Sequence, residues 1–570
     1  MQWNHFCAGW LHTVAPVRIN DKEETVISRR DFLKFQALLG GSALIPSLLS
    51  KSAYAGQGIH DLLQCKGTSI ALPPPFQEPL PIPPVLNPVS SGSEDVYILQ
   101  VRDAVANILP TGYPATPAWG FNGMMLGPTL RVRRNHPAVV YMQNKLSHDP
   151  VSIHLHGSLS PADSDGHPED LIAPNTTKTY IYPNAQPPAT LWYHDHRIHL
   201  TADQVYAGLA GFYLLVDEEI ENELNLPKGP YDIPLVIQTR KLNADGSLCF
   251  SHNSVGSGGE VTMVNGKYLP YLNVARRKYR FRILNGDNSS RLQLGVYKYN
   301  YYGNGYYPLE YFVIATDTGY LQTPFRYPFT TSNNNVVPYF WMSPAERVEI
   351  VVDFSQLKIG ERASLALGSR GYVEFRVTHD AVDDSDLPAV LDPSYVTLTQ
   401  ADVTDNLKSR RVNLEVDISN NMLWTIDGIP FGGAEPGQPY GSGFKHISDI
   451  KAGSIERWWF IMGSGWFMPH PMHVHTCRFQ VTRRFMTDAG DPRVDYANPK
   501  AAEIPQEKWY QSFSNPWEQH AWKDTTTVYT NPGYTVEALV QFSQHPGTYV
   551  YHCHNLNHED HDMMANMQLV

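Results

Sequence analysis

The residues with the most distinctive chemistry lie near the C-terminal end, where one cysteine stands between two histidines. His552-Cys553-His554 is followed by His558 and Met563. Thiolate and imidazole groups suit copper, and two histidines, one cysteine and a distant methionine are the ligands of an electron-transfer copper site. Because successive side chains of a β-strand point to opposite faces, Cys553 and its two neighbours would face different metals. The segment is predicted to connect two metal sites through the backbone.

Histidine pairs with one residue between their members supply ligands for the second site. The pairs are His154 and His156, His194 and His196, His473 and His475, and His552 and His554. A single pair is weak evidence, because histidines on strands are often only polar-face residues. Together the pairs offer enough imidazoles for a three-copper cluster. His470, Cys553, His558 and Met563 then remain and complete one copper site of the electron-transfer type.

Turn signals divide the chain into three repeats. Asn122-Gly123, Asn265-Gly266 and Asp427-Gly428 each follow an apolar run, and such dipeptides are strong signals for a turn between strands. The signals recur at about the length of one domain, about 150 residues, and a β-rich strand follows each of them. Many glycines and prolines with few long amphipathic runs predict an all-β protein.

The histidine pairs belong to the first and third repeats. Residues 190–196 align with residues 548–554, and among the metal-facing positions only Asp195 differs from Cys553. The first repeat therefore offers imidazoles without a thiolate, whereas the third offers both. The middle repeat is predicted to be a structural spacer, and the metal cluster is predicted to lie where the first and third repeats meet.

The N-terminal residues read as an export signal rather than as part of the fold. Residues 28–34 form a twin-arginine motif, and residues 35–49 are apolar but too short for a stable membrane anchor. A small-residue cleavage site follows at 53–55. We therefore expect a signal peptide at 1–55, recognised by the twin-arginine export machinery, and a periplasmic or extracellular protein. The net charge of −12 argues against binding to nucleic acid or to an anionic membrane.

Cysteine usage leaves room for one disulfide bond. Cys7 lies in the predicted signal and Cys553 is a predicted ligand, so Cys65, Cys249 and Cys477 remain. The sequence does not tell which two of these three would pair. Cys477 is interpreted as a thiol of the core, because it follows the His473–His475 strand pattern.

Four segments resemble those of the multicopper oxidases, most of all the bilirubin oxidases and the bacterial spore-coat laccases. The resemblance runs from about residue 79 to the C-terminus. It is carried by HLHGSLSPADSDG (154–166), TLWYHDH (190–196), RKYRFRILN (277–285) and HCHNLNHEDHDMM (552–564).

The resemblance implies three cupredoxin-like Greek-key β-sandwich domains and four copper ions, one of type 1, one of type 2 and a type 3 pair. Linker composition adds a Pro-rich extended segment at 56–92 and places the domains at 93–217, 218–400 and 401–570. The resemblance assigns His154 and His473 to type 2 copper. It assigns the type 3 pair to His156, His194, His196, His475, His552 and His554.

Two carboxylates are candidates for delivering the protons that oxygen reduction consumes. Glu559 directly follows the ligand His558, and Asp165 stands where the resembling proteins carry an acidic residue near their cluster. The competing interpretations are an Asp-Gly turn for Asp165 and a surface salt bridge for Glu559. The sequence suggests no role for His561.

The function expected from this pattern is a monomeric, laccase-like oxidase. It would couple one-electron oxidation of small phenols, aromatic amines or tetrapyrroles to four-electron reduction of O2 to water. The alternatives are a metallo-oxidase of Cu(I) or Mn(II), which the absence of a Met-rich insert disfavours, and a non-enzymatic exported protein, which the complete ligand set disfavours. A copper nitrite reductase would need fewer histidines. Trp466 stands four residues before His470, whereas bilirubin oxidases carry it two residues before, which argues against bilirubin as substrate.

Overall fold

The computed structural model describes residues 58–251, 259–300, 305–368, 370–404, 409–417, 423–431, 447–463, 468–486, 504, 506–512 and 514–570. The predicted signal peptide at 1–55 and Trp466 lie outside these residues. The described residues belong to one unit that extends from Tyr54 to Val570. In the described part of the chain, no helix is both long and apolar enough to cross a membrane.

The N-terminal segment lies across the first and middle sandwiches. It bridges Val85 to Thr129 in the first and Pro79 to Tyr271 in the middle. The sequence predicts a Pro-rich extended segment at 56–92, and the structure forms the short helix α1 (Ile59–Leu62) near its beginning. This turn precedes the prolines, and it buries Ile59 and Leu62 on one face.

The first sandwich has two sheets, with strand orders β1-β2-β5-β7 (β3 beside β2) and β4-β9-β8-β6. Its elements are β1 (Ser90–Ser91), β2 (Asp95–Ala106), β3 (Thr116–Phe121), β4 (Leu130–Arg133), β5 (Ala138–Asn144), β6 (Ile153–His156), a 3₁₀ turn (Ala162–Ser164), β7 (Thr177–Tyr182), β8 (Ala189–Asp195), α2 (Thr201–Ala207) and β9 (Ala210–Val216).

The middle sandwich has the sheets β12-β11-β10-β14-β22-β17-β18 and β13-β24-β23-β15-β16 (β21 beside β15), with β19 and β20 paired separately. Its elements are α3 (Glu218–Leu224), a 3₁₀ turn (Gly229–Tyr231), β10 (Asp232–Arg240), β11 (Val261–Val264), β12 (Lys267–Tyr268), β13 (Tyr271–Arg276), β14 (Lys278–Asn285), β15 (Leu292–Asn300), β16 (Gly305–Pro308), β17 (Tyr311–Thr316), β18 (Gly319–Tyr327), β19 (Phe329–Thr330), β20 (Val336–Val337), β21 (Phe340–Met342), β22 (Arg347–Asp353), a 3₁₀ turn (Phe354–Gln356), β23 (Arg362–Leu367) and β24 (Arg370–Asp380).

The third sandwich has the sheets β26-β25-β28-β32-β30 and β27-β34-β33-β29-β31. Its elements are a 3₁₀ turn (Gln400–Asp402), β25 (Ser409–Asp417), β26 (Leu423–Ile426), β27 (Ile447–Ile450), β28 (Ile455–Met462), β29 (His470–Val474), β30 (Cys477–Met486), 3₁₀ helices (Gln506–Ser512 and Pro516–His520), β31 (Thr525–Val528), β32 (Tyr534–Phe542), β33 (Gly547–Cys553), α4 (Leu556–Asp560) and β34 (Met564–Leu569). The prediction of an all-β chain of three sandwiches is confirmed.

The three predicted turns have the same construction, which explains their recurrence in the sequence. Their first residues have positive φ angles, at Asn122 (55°), Asn265 (50°) and Asp427 (54°). Their side-chain oxygens accept hydrogen bonds from the backbone N–H groups of Gln100 (2.9 Å), Val236 (2.8 Å) and Asn413 (2.8 Å). Asn and Asp tolerate the left-handed region and bond neighbouring backbone groups, so each turn closes the chain directly after an early strand of its sandwich: β3, β11 or β26.

The structure shows which two of the three remaining cysteines form a disulfide bond. Cys65 and Cys249 form a disulfide bond across 184 residues of sequence. Cys477 is a buried free thiol, as predicted. The bond ties the N-terminal segment to the loop that follows β10.

We expect the Cys65→Ala/Cys249→Ala double variant to be less stable than the wild type. A native disulfide typically contributes about 2–4 kcal/mol, because it restricts the unfolded chain. Calorimetric unfolding of the two proteins measures the effect, and the copper content should be unchanged, because this bond belongs to the N-terminal segment. An unchanged unfolding temperature would contradict the stabilising role.

Candidate metal centre

Two pairs of neighbouring strands bring the histidines together. In the first sandwich β6 lies antiparallel to β8, and His154 is opposite His194. In the third sandwich β29 lies antiparallel to β33, and His473 is opposite His552. The two strand pairs correspond in sequence and in register, so each sandwich presents a matching set of imidazoles.

The imidazoles of the two sandwiches interleave in one buried cluster. His154 stacks on His475 with ring centroids 3.8 Å apart, and His156 stacks on His473 at 3.7 Å. These four rings are at most 1% exposed. The sequence predicts a cluster where the first and third repeats meet. The structure brings these histidines together at that place.

Unpartnered ring nitrogens show that the cluster fits a metal. A buried polar atom without a hydrogen bond costs free energy, and a bound cation would remove that cost. Buried nitrogens without a hydrogen-bond partner are Nε2 of His154, His194 and His473, Nδ1 of His156 and His196, and both ring nitrogens of His554.

A further group of ring nitrogens converges on His552. Its Nε2 lies 3.2 Å from Nε2 of His196 and 3.2 Å from Nε2 of His475. Nitrogens from His196, His475 and His552 are thus close enough to bind one ion together. Imidazole nitrogen is a ligand that suits copper.

Backbone and carboxylate oxygens fix which nitrogen of each ring faces the cluster. In most rings Nδ1 is occupied by an oxygen and Nε2 points inward, an arrangement typical of histidine ligands. The Nδ1 partners are the backbone oxygens of Asp165 for His154 (2.5 Å), Asp195 for His194 (2.7 Å) and Asp524 for His473 (2.9 Å), and the Asp165 carboxylate for His475 (2.7 Å).

Burial keeps the rings neutral and therefore able to act as ligands. Burial, and then the neighbouring imidazoles, lower the pKa of His154 and of His475 well below the usual range. Burial lowers the pKa of His196 and of His470 to about 3. Neutral imidazole is the form that binds metal ions.

The two predicted carboxylates both lie against the cluster. Asp165 Oδ2 is 2.7 Å from His475 Nδ1, and its Oδ1 has no hydrogen-bond partner. The oxygens of Glu559 lie 2.9 Å from His552 Nδ1 and 3.5 Å from His196 Nδ1. Asp165 does belong to an Asp-Gly turn, since Gly166 has a φ of 80°, but its side chain points to the cluster.

The burial of these carboxylates decides between the competing interpretations. Glu559 is 2% exposed, so the interpretation as a surface salt bridge is wrong. Burial raises the pKa of Asp165 well above its usual range. A carboxyl group with a raised pKa beside a reaction site is suited to holding and releasing a proton.

A second set of ligands forms a triangle on the other side of β33. Cys553 Sγ lies 3.4 Å from His470 Nδ1 and 3.6 Å from His558 Nδ1, and the two nitrogens are 3.2 Å apart. Met563 is fully buried in the same core, and its backbone oxygen accepts a 3.0 Å hydrogen bond from Cys553 N–H. This set matches the histidine, cysteine and methionine ligands of an electron-transfer copper site.

Burial raises the pKa of the Cys553 thiol, and a bound cation would reverse that effect, because a coordinating thiol is deprotonated.

His558 is held from both sides. Its Nε2 lies 3.0 Å from Asn555 Nδ2, and the indole of Trp424 stacks on its ring at 3.8 Å. His561, for which the sequence suggested no role, contacts the Asn557 backbone oxygen at 2.6 Å.

Three residues near the two centres were not predicted from the sequence: Trp424, Asp524 and Arg347. Asp524 Oδ1 lies 3.1 Å from His156 Nε2, and Arg347 Nη1 donates to the same oxygen at 2.9 Å. Arg347 begins β22 of the middle sandwich. The sequence predicts a structural spacer for the middle sandwich, and the structure adds that this side chain contacts the carboxylate beside His156. No motif marks these residues, because their roles depend on contacts between distant segments.

Comparisons with known proteins agree with this geometry. Models of the multicopper oxidase family match residues 104–220 and 412–569. The chain is 33% identical to a bilirubin oxidase of Albifimbria verrucaria, over 86% of this chain and 81% of that protein. It is 31% identical to a laccase of Bacillus subtilis, over 87% of this chain and 98% of the laccase.

A solved structure shares the fold as well. The laccase from Pediococcus acidilactici superposes with a TM-score of 0.70 at 25% identity, and the match covers 88% of this chain and 96% of the laccase. The paired imidazoles, the His-Cys-His strand and identities above 30% over most of the chain lead to one conclusion. The chain belongs to the multicopper oxidase family.

Proposed function

We propose that the chain is a laccase-like oxidase that couples one-electron oxidation of phenols, aromatic amines or tetrapyrroles to four-electron reduction of O2 to water. The observation that carries the proposal is the placement of Cys553. Its sulfur faces His470 and His558, while its neighbours His552 and His554 face the imidazole cluster. The laccases and the bilirubin oxidase among the relatives support this class of reducing substrate.

The proposal includes four copper ions per chain. His470, Cys553, His558 and Met563 would hold type 1, and His154 and His473 would hold type 2. The type 3 pair would be held by His156, His194, His196, His475, His552 and His554. Copper held by these residues would supply one-electron chemistry at the cysteine site and the four-electron reduction of O2 at the imidazole cluster.

The protein contributes a short fixed path between the two sites. Cys553 and the flanking histidines are consecutive residues of β33 and its end, so their side chains alternate about one backbone. All three are at most 1% exposed. Water is thus kept away from the path, and the indole of Trp424 covers one face of the His558 ring.

Asp165 and Glu559 would supply protons to the oxygen site. Each carboxylate contacts an imidazole of the other sandwich: Asp165 contacts His475, and Glu559 lies near His196. A proton held at Asp165 is therefore within reach of the cluster without crossing open solvent. Burial raises the pKa of Glu559, but His552 and His196 outweigh it and lower that pKa, so Glu559 would pass a proton on rather than store it. This is the part of the mechanism in which the side chains themselves act as acids.

A substrate screen tests the proposed activity. The purified, copper-loaded protein is given a phenol, bilirubin, Mn(II) and Cu(I) in turn under air, and oxygen consumption is measured. We expect the phenol to be oxidised. Turnover of the metal ions alone would overturn the laccase-like assignment in favour of a metallo-oxidase.

Export by the twin-arginine route, to the periplasm or the exterior, remains a prediction from residues 28–34. We expect Arg29→Lys/Arg30→Lys to retain the protein in the cytoplasm, since the pathway reads the arginine pair. Cell fractionation followed by immunoblotting measures where the variant accumulates, and unchanged export would contradict the prediction.

Copper bound to the Cys553 thiolate should give the protein a strong blue absorption. Cys553→Ser should abolish both this absorption and turnover, because a hydroxyl does not replace thiolate as a copper ligand. Cys477→Ser is the matched control. Cys477 is also fully buried, but its thiol donates to the Val474 backbone oxygen at 3.4 Å. The control should stay blue and active. A blue Cys553→Ser protein would exclude Cys553 as the ligand.

Glu559→Gln should slow reoxidation of the reduced protein by O2 while substrate oxidation stays near the wild-type rate. Glutamine keeps the size of the side chain but cannot carry a proton, and general acid catalysis is worth about 10²–10⁴-fold. Stopped-flow mixing of the fully reduced protein with O2 measures the step.

Asp560→Asn is the matched control for this variant. Asp560 is the buried neighbour of Glu559, but its oxygens accept hydrogen bonds from the backbone N–H groups of Thr201 (2.9 Å) and Ala202 (2.7 Å) at the start of α2. The control should lose thermal stability and keep its oxygen step. A wild-type oxygen step in Glu559→Gln would exclude Glu559 as proton donor.

A further inference from the structure

One buried arginine touches all three sandwiches. Arg347 is fully buried at the start of β22 in the middle sandwich. Its Nε donates to the Thr190 backbone oxygen in the first sandwich at 2.9 Å. Its Nη1 donates to Asp524 Oδ1 in the third sandwich at 2.9 Å, and its Nη2 contacts Asp524 Oδ2. Within its own sandwich, Nη2 donates to the Asp317 backbone oxygen at 2.8 Å.

Asp524 in turn contacts two of the proposed copper ligands. Its Oδ1 lies 3.1 Å from His156 Nε2, and its backbone oxygen lies 2.9 Å from His473 Nδ1. These are the two rings that stack on each other across the interface of the first and third sandwiches. The residue that Arg347 holds with two nitrogens therefore contacts both rings. The Thr525 hydroxyl lies 3.3 Å from the same two ring nitrogens and donates to Asp524 Oδ1 at 2.9 Å.

His156 is oriented differently from the other rings whose outer partner is known. In His154, His194 and His473 an oxygen occupies Nδ1 and leaves Nε2 unpartnered, whereas in His156 the Asp524 carboxylate occupies Nε2 and leaves Nδ1 unpartnered. A hydrogen bond to one ring nitrogen fixes the tautomer and the orientation of a histidine ligand. For His156 the Asp524 carboxylate, at 3.1 Å, is the charged and shorter of the two oxygen contacts to Nε2, and the Thr525 hydroxyl is the other.

The backbone next to His156 is shaped to this ion pair. Gly157 has a φ of 88°, and a Cβ atom there would lie 2.7 Å from Arg347 Nη2 and 2.8 Å from Asp524 Oδ2. The strand that carries His156 thus passes directly against the paired charges. Such a close approach is possible only for glycine.

We propose that Arg347 is a positioning residue of the copper centre. It holds Asp524 against His156 so that Nδ1 of this ring faces the cluster. The middle sandwich would then set the geometry of a site to which it gives no ligand. The inference rests on the proposed copper centre, and its test therefore measures copper binding rather than turnover alone.

The test compares copper binding by the wild type and by Arg347→Lys. Lysine keeps the charge but lacks the planar fork that bonds both carboxylate oxygens. Loss of the outer partner of a metal ligand typically costs about 10–100-fold in affinity. We expect a loss of that size for the cluster coppers, measured by competition with a chelator. The blue absorption of the Cys553 site should be retained, because that site has separate ligands.

Arg282→Lys is the matched control. Arg282 is an equally buried arginine of the middle sandwich that also reaches the first sandwich, where it donates to Thr190 Oγ1 at 3.2 Å. Its ion-pair partners include Asp232 and Glu349 rather than Asp524. If it serves only to pack the sandwiches, its variant should unfold at a lower temperature and still bind copper like the wild type.

A neutral double variant keeps the test decisive if Arg347→Lys does not fold. Arg347→Gln/Asp524→Asn removes both charges together and leaves neither partner as a buried, unpaired ion. The proposal expects the same loss of cluster copper in this variant. Full copper affinity in either Arg347 variant, or an equal loss in Arg282→Lys, would overturn the proposal. A wild type that binds no copper would instead refute the proposed function.

Discussion

The centre depends on ring nitrogens that face one another inside the protein with no hydrogen-bond partner. Burying such atoms is unfavourable, and the cost is removed when a cation takes the place of the missing partners. The surrounding oxygens make this arrangement specific. Each occupies one nitrogen of a ring and so selects the other as ligand. Because these oxygens belong to turns and strand ends of two sandwiches, the fold itself orients the rings of the cluster.

The pleat of one strand keeps the two kinds of site apart and yet connected. On β33 the cysteine side chain points into the core of the third sandwich, and the histidines on either side point toward the first. No loop has to bridge the two sites, and a shift of register by one residue would exchange their ligands. The antiparallel pairing of β33 with both β29 and β34 opposes such a shift.

The clustered histidines, the cysteine and the repeats could be predicted from sequence, because all of them belong to local patterns. A His-x-His pair and an Asn-Gly turn are visible within a few residues. Asp165 and Glu559 could also be found from the sequence, since each lies close along the chain to a histidine of these motifs. Arg347 and Asp524 were not, because the contact joins residues 177 apart and no periodicity marks either one.

The same limit applies to Trp424 and to the disulfide. The indole of Trp424 stacks on His558, but the alternation of its strand predicts only that the residue is buried. The pairing of Cys65 with Cys249 follows from the path of the N-terminal segment across the first two sandwiches, which composition alone does not specify. Sequence patterns thus identified the histidines and the cysteine that the structure brings together, whereas the groups that orient them required the folded structure.

The order of the ligands along the chain has a consequence for biosynthesis. His196 and His552 meet in one cluster although 356 residues separate them, and the whole middle sandwich is made in between. Domains generally fold in turn as the chain emerges from the ribosome. The first sandwich carries half of the cluster's imidazoles. These imidazoles therefore lack their partners until the third sandwich has been translated and folded. During that interval the histidine pairs of the first sandwich are incomplete metal sites, and they are exposed to the metal ions of the cytosol.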